Sequence, residues 1–303
     1  MAVAKFGSFS RAAVHCHVSQ PALSKQIQKL ETRIGKTLLS RNHRRIVPTE
    51  AGQILLQGGR EILEKMDDTE QQVRCSGEPH AGDVRFGILP TIAPFLLKHI
   101  LNSFVINSPN TQLFVHEALT EQSLELIEAG DFDLGIVCLP IREPGFDAEP
   151  LFTEEMLLAI HPRHPLSQKL AIQAHDLHSE KFILMQEDHC LTEQVIGFCR
   201  RQDFRPRIVM RCCQLATVQS LVAADVGISL IPQMAIPEKP TEINYRQLEN
   251  PRPERTIAIV TRNKRPLKLA AQEFLNHLRQ VCKTFALPAI NHLSSPSSEK
   301  PKA

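Results

Sequence analysis

The chain has 303 residues, of which 42% are hydrophobic, with eight cysteines and a formal net charge of +2. This length is sufficient for two or three domains with their own cores. The sequence contains no apolar run near 18 residues and no charged N-terminal segment followed by an apolar one, and its cysteines are irregularly spaced. These features argue against a transmembrane helix, a secretory signal and a disulfide scaffold. We therefore expect a cytoplasmic protein with no membrane partner and no cofactor.

The positive charge is concentrated at the start of the chain. Residues 1–60 carry ten Lys and Arg side chains against two acids, whereas the rest of the chain carries 25 basic and 31 acidic side chains. A basic segment on a mildly acidic body is typical of a nucleic-acid-binding module joined to a regulatory one. A solvated basic face without a partner has the same composition.

The basic segment has the pattern of two helices joined by a turn. Residues 9–17 predict one short helix; Ser19 can then cap a second helix, with Pro21 in its first turn and Gly35 at its end. This pattern predicts a helix-turn-helix whose second helix enters the major groove of DNA, followed by a phosphate-gripping wing over residues 38–49. The predicted DNA-binding residues are Ser19, Gln20, Pro21, Ser24, Lys25, Gln28, Lys29, Arg41, Arg44 and Arg45.

The remainder of the chain predicts a long helix followed by α/β units. The helix covers residues 49–75, and the Gly- and Pro-containing residues 76–82 mark a boundary. Strands and helices then alternate, which indicates a parallel sheet with ligands at the carboxyl ends of its strands. Thr91 and Thr120 follow the first two strands, so their hydroxyls could face such a cleft or could simply cap turns.

Two cysteines, Cys190 and Cys199, lie nine residues apart in a predicted helix. Nine helical steps place their side chains on opposite faces, roughly 13 Å apart along the axis, whereas a disulfide needs Cα atoms within about 7 Å. The two thiols can therefore pair only if the helix melts. A metal site with His189 is disfavoured because three side chains on one straight helix cannot converge on a tetrahedral ion.

The start of this helix favours a reactive thiol. Asp188 is a candidate N-cap, which would place Cys190 in the first turn, where free backbone N–H groups and a protonated His189 favour a thiolate. Peroxide converts such a thiolate to a sulfenic acid that a second cysteine resolves to a disulfide. The alternative is two cysteines that pack as small hydrophobic residues.

The N-terminal strings Ser-Phe-Ser-Arg-Ala-Ala (8–13), Val-Ser-Gln-Pro-Ala-Leu-Ser (18–24), Ile-Gln-Lys-Leu-Glu (27–31) and Pro-Thr-Glu-Ala-Gly (48–52) resemble LysR-type transcriptional regulators. The resemblance implies an α/β protein with an all-α head: a winged helix-turn-helix, a dimerising linker helix and a two-subdomain effector domain like a periplasmic binding protein. It also implies that about nine residues are missing at the start, through a misassigned start codon or a true truncation. The expected segments are residues 1–49 (head), 50–76 (linker), 83–153 with 258–290 (subdomain I), 154–257 (subdomain II) and 291–303 (disordered tail).

The effector half is most similar to the peroxide-sensing members of this family. The similarity is carried by residues 87–97, 115–118, 156–160, 187–191, 197–199 and 255–257. It implies that Cys190 reacts with peroxide, that Cys199 resolves it, and that Thr91, Thr120, His189 and Arg255 support the reactive thiol. It further implies a homodimer or homotetramer whose partners are promoter DNA, RNA polymerase, hydrogen peroxide and cellular thiol reductants.

Three other functions stay open at this point. A small metabolite bound in the effector clamp could be the signal, with the cysteines incidental. A thiol peroxidase that turns over peroxide is a second possibility, although the basic head and the lack of a Cys-x-x-Cys motif argue against an enzyme. An inert or dominant-negative protein is a third, if the start of the chain is truly truncated.

Overall fold

The computed structural model describes residues 1–40, 46–74, 82–237 and 242–288. The chain divides into two units, residues 1–77 and 78–303. Arg41, Arg44 and Arg45 of the predicted wing, and the predicted disordered tail at 291–303, lie outside the described residues.

The first unit is a helical head with a small wing and a long helix. Its elements are α1 (Ala2–Phe6), α2 (Phe9–His15), α3 (Gln20–Ile34), β1 (Leu39–Ser40), β2 (Val47–Pro48) and α4 (Glu50–Arg74). The strands β1 and β2 pair antiparallel. The predicted helix-turn-helix, wing strands and long helix are therefore confirmed.

Local sequence signals define α3. The Ser19 hydroxyl accepts a hydrogen bond from the Ala22 N–H at 3.3 Å, and Pro21 lies in the first turn, where its missing N–H costs nothing. Gly35 ends the helix in the left-handed conformation (φ 72°), which glycine adopts without strain. Both predicted boundaries of this helix are confirmed.

A small core holds the head together. Val3 of α1, Ala12 of α2 and Leu39 of β1 are buried against one another. The Glu31 carboxylate accepts hydrogen bonds from the backbone N–H groups of Leu38 (2.8 Å) and Leu39 (3.3 Å), which fastens α3 to the wing. At Gly52 a Cβ would collide with the Leu38 carbonyl oxygen, so only glycine permits this approach of α4 to the wing.

The second unit alternates strands and helices, as predicted. Its elements are β3 (Gly82–Ile88), α5 (Ala93–Asn107), β4 (Thr111–Glu117), α6 (Thr120–Ala129), β5 (Leu134–Cys138), β6 (Phe146–Ile160), β7 (Ile172–Gln173), β8 (Lys181–Met185), α7 (Cys190–Arg201), β9 (Arg207–Cys212), α8 (Leu215–Ala223), β10 (Ser229–Pro232), β11 (Asn244–Arg246), β12 (Leu248–Glu249), β13 (Glu254–Arg262) and α9 (Leu269–Thr284). Short 3₁₀ helices cover Pro165–Gln168, Ala174–Leu177 and Gln233–Ala235.

The main sheet is mixed, with strand order β10-β6-β13-β5-β3-β4 and with β11 also paired to β6. The strand β3 pairs parallel with β4 and β5, whereas β13 pairs antiparallel with β5 and β6. The parallel arrangement predicted from alternation is confirmed for β3, β4 and β5, and β8 and β9 of the second α/β part also pair parallel, in a separate two-stranded sheet. The antiparallel pairs arise where β6 and β13 join the sheet, and β6 continues from one lobe of the unit into a second.

Two hydrophobic cores define these lobes. Lobe I packs β3, β4, β5, α5, α6, β13 and α9 around one core, and lobe II packs the end of β6, β8, α7, α8 and β10 around another. The 15-residue strand β6 serves both, because its first part pairs with β13 and its last residues pair with β10 and β11. The two-subdomain effector fold is thus confirmed. Among the described helices, none combines the length and apolarity needed to cross a membrane.

Candidate functional site

The segment predicted to be reactive begins α7. His189 occupies the N-cap position with extended backbone, and Cys190 is the first residue of the helix. The expectation that Asp188 is the cap is wrong by one residue, because a turn in which the His189 N–H donates to the Gln186 carbonyl precedes the helix. The position of Cys190 in the first turn is confirmed. Backbone N–H groups at such a position favour an anion.

Cys190 and Cys199 belong to different hydrophobic cores. Cys190 is half-buried and packs against the core of lobe I, whereas Cys199 is 0% exposed within the core of lobe II. The helix is continuous between them, so it holds the thiols apart as the spacing predicts. Burial raises the pKa of Cys199 to about 12, which keeps it a neutral thiol near pH 7. The two cysteines cannot form a disulfide in this conformation.

A third cysteine, which sequence reasoning did not assign to the site, contacts Cys190. Cys138 is the last residue of β5, only 3% exposed, and its thiol is hydrogen-bonded to the thiol of Cys190. This bond and, more weakly, the charge of Arg255 lower the pKa of Cys138. The same bond, together with burial, raises the pKa of Cys190 well above its usual value.

The two thiols therefore titrate as a pair. The pKa for loss of the first proton is lowered, because the remaining S–H group donates to the sulfur anion and Arg255 is close by. The second proton is held firmly, because its loss would place two anions in contact. The lowered pKa expected at Cys190 from its helix position instead belongs to Cys138. The sequence did not indicate that a third thiol would meet it.

Arg255 lies at the centre of a buried polar network. Its Nε donates to Glu154 Oε1 at 2.7 Å, and its Nη1 and Nη2 donate to the Oγ1 and carbonyl oxygen of Thr91 at 3.1 and 3.2 Å. Arg255 is 2%, Glu154 1% and Thr91 2% exposed. Adjacent positions of β6 and β13 place the ion pair, since Arg255 is the partner of Glu154 in their register. A buried charge pair of this kind needs the additional hydrogen bonds that Thr91 supplies.

Gln194, one turn into α7, fastens the helix to lobe I. Its Nε2 donates to the Leu139 carbonyl at 3.3 Å, and its side chain also hydrogen-bonds the Cys138 thiol. The Leu139 N–H in turn donates to the Thr256 carbonyl at 2.9 Å. The first turns of α7 and the carboxyl end of β5 are thereby held together beside Arg255.

Two further predicted site residues, Thr120 and His189, lie at the N-termini of helices. Thr120 is the first residue of α6, and its Oγ1 is buried without a hydrogen-bond partner among the described residues. His189 is 8% exposed and makes no side-chain bond to the helix that it caps. The structure thus gathers Cys190, Thr91 and Arg255 around one point and leaves Cys199 outside it. The roles of all six predicted residues stay predictions.

Three members of the cluster, Cys138, Glu154 and Gln194, escaped sequence reasoning. For Cys138 a signal existed, because the residue ends the apolar run Leu134–Cys138 in the alternating part of the chain, and ligands gather at the carboxyl ends of parallel strands. Glu154 lies within a long strand, and Gln194 is one of several polar residues on a helix. Only the three-dimensional register brings these two to the site.

In the first unit, the predicted DNA-reading side of α3 is open. Gln20, Lys25, Gln28 and Lys29 are exposed, and Ser24 is half-buried. The helix has no fully buried residue among its 15. The face therefore has the charge, the amide groups and the access that contact with phosphates and base edges requires.

A cavity of about 810 Å³ lies between the two lobes. Its walls include Pro94, Phe95 and Lys98 of α5 and Leu215 and Gln219 of α8. The size suits a small organic ligand, and the lining is mostly apolar with a few polar groups. Among the described residues, no group of three or more His, Cys, Asp or Glu side chains could hold a metal ion.

Comparison with known proteins agrees with this architecture. Residues 77–283 match the LysR substrate binding domain, and residues 1–53 match the bacterial regulatory helix-turn-helix protein, lysR family. A DNA-reading helix-turn-helix joined to a two-lobed binding domain defines a transcriptional regulator. The chain belongs to the LysR family.

Within this family the chain is similar to OxyR proteins. It is 35% identical over 281 residues, 92% of either chain, to the DNA-binding transcriptional dual regulator OxyR of Escherichia coli K12. A full-length OxyR variant from Pseudomonas aeruginosa aligns with a TM-score of 0.72 at 25% identity, covering 99% of this chain and 96% of that one. A Corynebacterium glutamicum OxyR mutant with bound H₂O₂ aligns with a TM-score of 0.64 at 26% identity, covering 93% and 90%.

Proposed function

We propose that this protein is a DNA-binding transcriptional regulator that senses hydrogen peroxide through a reversible Cys190–Cys199 disulfide and controls oxidative-stress genes. The observation that carries the proposal is the position of Cys190. It is half-buried at the start of α7, within a hydrogen-bonded thiol pair beside Arg255, and a folded helix separates it from Cys199. The similarity to OxyR proteins, one of them bound to H₂O₂, supports the same function.

The first chemical step is attack by the Cys190 thiolate on peroxide. The Cys190 sulfur takes one peroxide oxygen to become a sulfenic acid, and the other oxygen leaves as water after gaining a proton. Arg255 stabilises the thiolate by its charge, and Thr91 and Glu154 hold Arg255 in place. Thr120 and His189 have the supporting roles implied by the resemblance.

The second step couples oxidation to the shape of lobe II. Cys199 can reach the sulfenic acid only after α7 unwinds and Cys199 leaves its core. Loss of that helix repacks the lobe, which is an order-to-disorder switch. Each molecule reacts once and is reset by cellular thiol reductants, so we assign no enzymatic turnover.

The head converts this change into transcription. A homodimer or homotetramer, formed through the linker helix α4, would place helices α3 on successive major grooves of promoter DNA. Repacking of the effector domains resets the spacing of the heads and with it the contact with RNA polymerase.

Peptide mass spectrometry after treatment with one equivalent of hydrogen peroxide tests the proposal. We expect a Cys190–Cys199 disulfide that is lost in Cys190→Ser and Cys199→Ser. The exposed Cys213 provides a matched control, and Cys213→Ser should leave the disulfide unchanged. Unmodified Cys190 in a sample whose other thiols are oxidised would contradict the proposal.

A second candidate function has support from the cavity between the lobes. A metabolite that bound there would also change the lobe arrangement. The two functions differ in their dependence on Cys190: a metabolite sensor carrying Cys190→Ser keeps its transcriptional response, whereas a peroxide sensor loses it. Transcript measurement in the host bacterium, with the variant replacing the native gene, separates them.

A further inference from the structure

The thiol nearest to Cys190 is not Cys199. In the folded protein the Cys138 thiol is hydrogen-bonded to the Cys190 thiol, and both lie against the core of lobe I. Cys199 lies in the core of lobe II, on the far side of a continuous helix. A sulfenic acid formed at Cys190 therefore has Cys138 beside it before any helix melts.

The surroundings fix Cys138 in this position. It ends β5, where its register partner is Ile257 of β13. Gln194 reaches from α7 to the Cys138 thiol and to the next carbonyl along the chain, at Leu139. The two sulfurs thus meet in the packed interface between β5 and α7, where neighbouring groups hold both side chains in place.

We propose that Cys138 is the first resolving cysteine of the sensor, and that the Cys190–Cys199 disulfide forms from a Cys138–Cys190 disulfide by thiol exchange. The proposal rests on the peroxide-sensing function above and adds a third redox-active residue to it. It assigns to β5 and α7 a covalent link between the lobes that forms while the fold is still intact.

The electrons and protons of the first step balance within the thiol pair. In the singly ionised pair, when the remaining proton is on Cys138, the Cys190 thiolate attacks hydrogen peroxide. Cys190 becomes a sulfenic acid, and the leaving hydroxide takes the proton from Cys138 to form water. Cys138 is then a thiolate in contact with the sulfenic acid.

The second step forms the bond between the sulfurs. The Cys138 thiolate attacks the Cys190 sulfur and displaces hydroxide, which becomes water with the proton that the pair released at its first ionisation. Two thiols and one peroxide thus give one disulfide and two water molecules. When α7 later opens, the Cys199 thiolate attacks the Cys190 sulfur of this disulfide and returns Cys138 as a thiolate.

The variant Cys199→Ser tests the proposal with Cys138 and Cys190 intact. After one equivalent of hydrogen peroxide and rapid acid quenching, peptide mass spectrometry should find Cys138 and Cys190 linked. In the unmodified protein, the same link should appear first and decline as the Cys190–Cys199 link accumulates. Removal of Cys138 in a Cys199→Ser background should replace the link by a sulfenic acid that dimedone traps.

Cys282 provides a matched control because it is a buried cysteine, 5% exposed, in the same core. The change Cys282→Ala should leave the order of the two links unaltered. A Cys190 that remains a dimedone-reactive sulfenic acid in Cys199→Ser, while the unmodified protein still forms Cys190–Cys199, would overturn the relay and leave the sensor function standing. A Cys190 that peroxide does not oxidise in either protein would overturn both.

Discussion

At the scale of single residues, the ionisation of the site depends on the contact between two thiols, those of Cys138 and Cys190. Cys138 and Cys190 share a hydrogen bond between their thiols, and this bond lowers the pKa of Cys138 and raises that of Cys190. Arg255 can remain buried because Glu154 balances its charge and Thr91 takes two further hydrogen bonds. The ionisation of Cys190 thus depends as much on its neighbours as on its position at a helix N-terminus.

The change Cys138→Ala should lower the pKa of Cys190, because it removes the hydrogen bond and the neighbouring anion that raise it. Since only the thiolate is alkylated, the rate of Cys190 alkylation by iodoacetamide rises with pH through this pKa. We expect the midpoint of that profile, followed by peptide mass spectrometry, to move to lower pH. Cys282→Ala, which removes a buried thiol elsewhere in the same core, should leave the midpoint in place. A midpoint that stays or rises in Cys138→Ala would refute the coupling of the two thiols.

At the scale of elements, α7 acts as a spacer between two cores. Its start is tied to lobe I by Gln194, and its inner face, with Val195, Phe198 and Cys199, is buried in lobe II. Both the order of elements and the separation of Cys190 from Cys199 were predictable, because they depend on helical periodicity and on local capping signals.

The contact partners of Cys190 were not predictable in the same way. Cys138 precedes it by more than fifty residues, and Glu154 faces Arg255 only through the register of β6 and β13. Pairings between distant segments leave no periodic signal in one sequence. The cap of α7 was misplaced for a related reason, since both Asp188 and His189 suit such a position and only the backbone turn decides between them.

Gly197, in the middle of α7, offers a test of whether this helix must melt when the Cys190–Cys199 disulfide forms. A Cβ at this position would make only ordinary contact, 3.5 Å from the end of the Arg201 side chain. Gly197→Ala should therefore stabilise the helix by about 0.5–1 kcal/mol. If the Cys190–Cys199 disulfide requires the helix to melt, its equilibrium constant should fall about twofold to fivefold.

Redox titration of Cys138→Ala protein in glutathione buffers measures this constant with a single partner available to Cys190. Gly58→Ala is the matched control, because Gly58 also lies within a helix, α4, with nothing close to its added Cβ, but outside α7. Equal equilibrium constants with and without Gly197→Ala would indicate that the disulfide forms with α7 intact.

At the scale of the whole molecule, the charge asymmetry of the sequence follows the division into two units. The excess of basic residues lies within residues 1–60, in the unit that carries α3 and the wing, and the effector unit is mildly acidic. The fold of each unit could be predicted from the sequence patterns and from the resemblance to LysR-type regulators. A positively charged head on an acidic body restricts electrostatic attraction to DNA to one end of the chain.

The salt dependence of DNA binding should therefore be determined in the head. Lys25 and Lys29 are exposed on α3. If both contact phosphates, replacing the pair by alanine should reduce the slope of log K against log salt concentration by about 1.8, since each phosphate neutralised contributes about 0.9. Fluorescence anisotropy with a promoter fragment selected for binding to the full chain measures this slope. Lys283→Ala removes an exposed charge from the end of α9 in the effector unit and should leave the slope unchanged. A slope that responds equally to both changes would mean that the net charge of the chain, and not the face of α3, governs its attraction to DNA.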